Sequence, residues 1–156
     1  MSKLAIDPSL VLLKLKARDS DDVIRALSDR LSAFGSVEAG YSQATIDREH
    51  NHPTGLPTKP FAIAFPHADA DGVIRSSLAV ATLKETVGFH NMGDPEEILS
   101  VEIVFLLANR DPEEQVQALR RLAMVFGQPE KLEELRSQSD AEEAADWLQC
   151  ELLAIT

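Results

Sequence analysis

His67 stands near the end of FAIAFPHADAD, a segment from Phe61 to Asp71 in which an apolar run stops at Pro66-His67 and the polarity turns acidic at Asp69 and Asp71. Imidazole has a plentiful neutral form near neutral pH, so a histidine on stiff backbone can serve as a nucleophile or a proton carrier. A histidine at the end of a strand can equally do no more than fill a turn. Upstream, Arg48, Glu49, His50, His52, Thr54 and Gly55 crowd into one short stretch. If that stretch folds back over the end of the His67 run, Arg48 supplies a planar, permanently charged fork for an anion, and Thr54 and nearby backbone N–H groups add hydrogen bonds. Such a set suits a phosphoryl group carried on His67. The competing chemistry is a metal site, because His50 and His52, with His67, Asp69 and Asp71, are of ligand type at alternate positions. Alternate residues on a loop face opposite ways, however, and neither H-E-x-x-H nor paired C-x-x-C occurs. His90, beside Asn91, Gly93 and Asp94-Pro95, reads as a turn histidine.

These groups need a frame to position them. The run that carries Ile63 between two phenylalanines predicts a buried strand that delivers His67 to the rim of a sheet, and Pro66 stiffens its exit by fixing its own φ and holding Phe65 extended. Leu10 to Lys16, Leu78 to Leu83 and Val101 to Ala108 predict further strands. Asp19-Ser20-Asp21 offers caps for a helix with Val23, Leu27 and Leu31 on one face, ending near Gly35, and a second helix is predicted from about Val37 to Glu49. His50 to Pro60 is a loop dense in Pro and Gly. Asp111-Pro112 opens a helix with Val116, Leu119, Leu122, Ala123 and Phe126 on its apolar face; a short helix from Glu130 to Arg136 and a last one capped by Ser139 with Glu142 follow. Helices before, between and after strands predict an α/β fold: one domain over 1–156, a mixed β-sheet with helices packed on both faces. Ligand groups in such folds gather at strand ends, where His67 would lie.

The chain of 156 residues can bury a proper core without staples. Its 15 Lys and Arg against 26 Asp and Glu give a formal charge of −11, which opposes nucleic acid as a partner. The single cysteine, Cys150, lies among Trp147, Leu148, Leu152 and Leu153 and is expected to be a packed core thiol. MSKLAIDPS lacks the pattern of a signal peptide and no apolar run approaches the length of a membrane span, so the cytoplasm is the expected compartment. The absence of G-x-S-x-G, a P-loop or a dinucleotide fingerprint leaves hydrolase, NTPase and dehydrogenase readings unsupported.

Arg48-Glu49, Pro53-Thr54-Gly55 and Ala62-Ile63-Ala64-Phe65-Pro66-His67 together resemble the type-2 EIIA domains of the bacterial phosphoenolpyruvate-dependent sugar phosphotransferase system. The resemblance runs on through Leu78 to Leu83, Val87-Gly88-Phe89, Met92-Gly93 and VEIVFLLA into Asp111-Pro112, covering about Ala44 to Phe126 in order. It implies that His67 accepts a phosphoryl group from phosphohistidine on HPr and passes it to a cysteine or histidine of an EIIB partner, with both partners bound in trans and no metal or organic cofactor required. It also implies that Arg48 and Thr54 stabilise the phosphate. Many fructose- and mannitol-type members carry a second histidine at the start of the helix after the last core strand, where this chain has Gln115, which could still donate a hydrogen bond. A non-histidine there, together with H-x-P-T-G, is most similar to the galactitol-type branch, and a polyol-type permease is the implied setting. A regulatory module of the same fold, read by a transcription factor, kinase or transporter, is the alternative.

Overall fold

The computed structural model describes residues 4–153. A 3-10 turn at Pro8–Leu10 leads into β1 (Val11–Leu15), followed by α1 (Ser20–Ala33), α2 (Tyr41–Asn51), β2 (Gly55–Leu56), β3 (Ala62–Ala64), β4 (Ser77–Asn91), β5 (Asp94–Ala108), α3 (Pro112–Phe126), α4 (Pro129–Arg136) and α5 (Ala141–Leu153). β1 runs parallel to the first half of β4, β4 pairs antiparallel with β5, β5 pairs parallel with β3, and β3 pairs antiparallel with the short β2. Gly55 of β2 also reaches Asn91 at the far end of β4. The sheet is mixed, as expected.

Alternation along β5 divides the core. Val104, Leu106 and Ala108 join Val23, Ile24, Leu27 and Leu31 of α1 and Tyr41 and Ile46 of α2 on one face. Ile103, Phe105 and Leu107 join Leu122, Val125 and Phe126 of α3, Leu132 and Leu135 of α4, and Leu148 and Leu152 of α5 on the other. Each large side chain so buried contributes about 1.5–3 kcal/mol relative to exposure, which is why helices cover both faces of a sheet whose central strands are apolar throughout.

Four expectations are corrected. β4 and β5 extend into a long hairpin where a turn was expected. Its outer half is half solvated, with Val87 and Phe89 buried and Thr86, Gly88 and His90 exposed, so the strand signal there is a period of two, not an apolar run. His90 is accordingly a strand residue, its Nδ1 2.7 Å from the carbonyl of Pro95. α2 begins at Tyr41, not near Val37, because Val37 bridges to Val73 and the N–H of Glu38 donates to the carbonyl of Gly72. Asp140, not Ser139, caps α5: its carboxylate accepts from the N–H of Glu142 at 2.8 Å and its carbonyl from the N–H of Ala144. Cys150 is exposed, since two residues from Leu148 and two from Leu152 is the opposite side of a helix whose buried stripe those leucines define.

The register that matters for the site is that of β3 on β5. Ala64 lies opposite Val104, and the N–H of Leu107 donates to the carbonyl of Pro66 at 3.3 Å, so the strand path continues to the residue before the histidine. His67 leaves the sheet at the edge where β5 runs out toward α3 and where β4 begins opposite Ala108.

Candidate functional site

Pro66 is buried and tied to β5, so His67 is presented from fixed backbone. Its ring is half-buried, and Nδ1 lies 3.0 Å from the carbonyl oxygen of Phe65. A carbonyl only accepts, so Nδ1 carries the hydrogen and Nε2 carries the lone pair. The rings of Phe65 and His67 stack at 5.7 Å and 13°, and Phe65 in turn meets Phe126 of α3 at 5.9 Å. Burial lowers the proton affinity of His67; the Phe65 carbonyl opposes this, the Arg48 charge adds to it, and Asp69 opposes it. The neutral, nucleophilic form is the favoured one.

Arg48 comes from the last turn of α2, where a cation complements the negative helix end. Its guanidinium is 3.8 Å from Asp69, whose side chain is 87% exposed. Its Nε is buried and, among the described residues, without a hydrogen-bond partner. A buried N–H of a guanidinium without an acceptor is costly, and it marks a direction from which an anion would be welcome. Arg48, Asn51, His52, Ala68, Asp69 and Asp71 line an open groove beside the histidine loop.

Thr54 is buried, and its one hydroxyl hydrogen is already given. It donates to Glu49 Oε1 at 2.8 Å and accepts from the N–H of Phe65 at 3.2 Å, while the N–H of Thr54 donates to Glu49 Oε2 at 2.9 Å. Gln115, in the first turn of α3, is half-buried, and its side chain makes no hydrogen bond with His67, Arg48 or Thr54. The structure therefore brings Arg48 and Thr54 to His67 by different routes, one by charge and one through Phe65, and gives the Gln115 side chain no hydrogen bond to any of the three. His50 pairs instead with Asp21 at 2.9 Å, and among the described residues no three His, Cys, Asp or Glu side chains are grouped to hold a metal ion.

Glu49 is the residue that motif reading underused. Tyr41, Thr45 and Glu49 recur every four residues on α2, and all three are buried, so the signal was a carboxylate in phase with the core stripe.

Among the described residues no helix is long and apolar enough to cross a membrane. Comparison with known proteins agrees with this geometry. The family described as "Phosphoenolpyruvate-dependent sugar phosphotransferase system, EIIA 2" matches residues 5–150. The chain is 31% identical over 118 residues to the galactitol-specific EIIA component of Escherichia coli (strain K12), covering 75% of this chain and 77% of that protein. It is 28% identical over 135 residues to the transcriptional regulator ManR of Bacillus subtilis (strain 168), covering 85% of this chain and 19% of that protein. The fold superposes with a TM-score of 0.76 on the solved complex of mannitol enzyme IIA with phosphorylated enzyme IIB from Escherichia coli, at 26% identity over 95% of this chain and 98% of that one. With a match over nearly its whole length and the Pro-His strand end at its sheet rim, the chain belongs to the type-2 EIIA family of the phosphoenolpyruvate-dependent sugar phosphotransferase system.

Proposed function

We propose that this EIIA protein carries a phosphoryl group on Nε2 of His67, taking it from phosphohistidine on HPr and giving it to a cysteine or histidine of an EIIB partner. The observation that supports this most is the hydrogen bond from Nδ1 to the Phe65 carbonyl, which leaves the Nε2 lone pair as the available nucleophile. In the transfer, Nε2 forms a bond to phosphorus as the bond to the donor imidazole breaks, and the donor leaves as a neutral ring with its proton on the other nitrogen. The ring of His67 gains positive charge as it attacks, and the Phe65 carbonyl faces the N–H where that charge develops. Arg48 offers its unpartnered Nε and its fixed charge to the phosphoryl oxygens. Thr54 acts through Phe65, because its hydroxyl hydrogen is already given to Glu49. Gln115 can donate its amide to phosphate once the group is in place. No step calls on a metal or an organic cofactor.

The galactitol-specific relative supports a polyol-type system; the proposed setting is the cytoplasm, with HPr and EIIB bound in turn around His67. The mannitol complex with phosphorylated enzyme IIB supports an EIIB partner. The resemblance to part of ManR favours one second reading, in which the phosphorylated protein signals to a regulator. Incubation with phosphoenolpyruvate, Enzyme I and HPr tests the proposal: intact mass is expected to show one acid-labile phosphoryl group, absent from His67→Ala. Discharge of that group by EIIB supports transport, and retention in its presence supports signalling. No labelling with an active HPr overturns both.

A further inference from the structure

Glu49 has the features of a group kept for direction and not for stability. It is 6% exposed, it lies in the last turn of α2, where the helix end disfavours an anion, and it has no ion-pair partner within 4.0 Å among the described residues. Among the described residues both its oxygens accept from Thr54 alone. A carboxylate can only accept, so Thr54 must donate its hydroxyl hydrogen to Glu49 and turn a lone pair toward the N–H of Phe65. With its N–H anchored there and Pro66 holding it extended, Phe65 aims its carbonyl at Nδ1 of His67.

We infer that Glu49 is a positioning residue for phosphotransfer, setting the tautomer and ring orientation of His67 through Thr54 and the Phe65 backbone. This rests on the reading of His67 as the phosphoacceptor and adds a residue that never touches the phosphoryl group. The chain of partners is directional. An amide in place of the carboxylate can donate to the Thr54 hydroxyl instead of accepting from it, so the hydroxyl hydrogen is no longer pinned and the lone pair that meets the Phe65 N–H is no longer fixed in direction.

The test uses Glu49→Gln, Thr54→Val and Thr54→Ser. Long-range 1H–15N correlation of the unphosphorylated proteins reads the His67 tautomer directly, and initial rates with phospho-HPr read its consequence. In the wild type and Thr54→Ser, which keeps the hydroxyl, His67 is expected to be held with the hydrogen on Nδ1. In Glu49→Gln and Thr54→Val, a mixed tautomer and a loss of about ten- to a hundred-fold in kcat/KM are expected, with the phosphoryl group still on His67. Glu49→Gln is nearly isosteric and removes a buried charge, so melting at or above the wild-type temperature together with slow transfer separates positioning from a structural role. An unchanged tautomer and rate in Glu49→Gln would overturn the inference while leaving His67 as acceptor. Labelling that survives His67→Ala would overturn the underlying reading instead.

Discussion

Arg48 of α2 and Asp69 of the loop that holds His67 approach to 3.8 Å, and they act on the histidine in opposite senses. Arg48 lowers its proton affinity and Asp69 raises it, so the exposed carboxylate competes with any incoming phosphoryl group for the same guanidinium. The titration of His67 followed by NMR should therefore move up in Arg48→Ala and down in Asp69→Asn. Identical midpoints in both variants would remove the pair from the environment of His67.

Arg48→Ala should also slow phosphorylation by phospho-HPr by roughly ten- to a thousand-fold, the range for loss of one preorganised charged donor. The fold should persist, because the guanidinium is partly exposed and its ion pair lies at the surface. An unchanged rate would mean that the unpartnered Nε does not meet the phosphoryl group.

The acceptor must be neutral, and burial depresses the proton affinity of His67 below its ordinary value of 6.5. Acceptance should accordingly hold its rate at pH 6.5 and fall only below it. The same shift has a consequence for stability. A group whose folded-state value is depressed adds stability above its unfolded value and loses it as pH falls through the folded value. Urea titrations across the range below pH 6.5 should show wild type losing stability on acidification more steeply than His67→Ala. Parallel curves would contradict the burial that the geometry implies.

Thr54→Val should destabilise the protein by about 1–3 kcal/mol, because it leaves the Phe65 N–H and one Glu49 oxygen buried without partners. Equilibrium urea unfolding measures it as a fall in midpoint at constant slope. A midpoint equal to that of wild type would mean that water replaces the hydroxyl.

Gly55 is packed so closely that a Cβ would stand 2.5 Å from the backbone oxygen of His90. Gly55→Ala must push β2 off the end of β4, and overpacking of this kind costs about 1–3 kcal/mol. Since Thr54 precedes it directly, phosphorylation should slow as well, and thermal melting together with labelling rates would show both effects. A stable, fully active Gly55→Ala would show that the β2 edge does not hold the site.

Much of this arrangement was legible in the chain itself. Pro66-His67 after an apolar run signals a stiff strand end, and Asp111-Pro112 before a period of apolar positions signals the helix that follows β5. What was not legible depended on contacts between distant segments or on weak alternation. Thr86 to Asn91 looks like a turn because Gly88, His90 and Asn91 are of turn type, yet the alternation of buried Val87 and Phe89 with exposed Thr86, Gly88 and His90 commits it to β4. Thr54 has the right chemistry for a phosphate donor, but Glu49, five residues earlier, takes its hydrogen. Only the three-dimensional path of α2 into β2 shows that. Cys150 sits in an apolar neighbourhood of sequence and on a polar face of helix, and the helical phase decides.

Transfer as proposed leaves the phosphoryl group on Nε2 of His67. The most direct measurement is a 31P–15N correlation on 15N-histidine-labelled protein phosphorylated with phosphoenolpyruvate, Enzyme I and HPr. One phosphorus coupled to Nε2 of His67 is expected, with Nδ1 still bearing its hydrogen against the Phe65 carbonyl. Coupling to Nδ1, or to any of the other histidines, would contradict it.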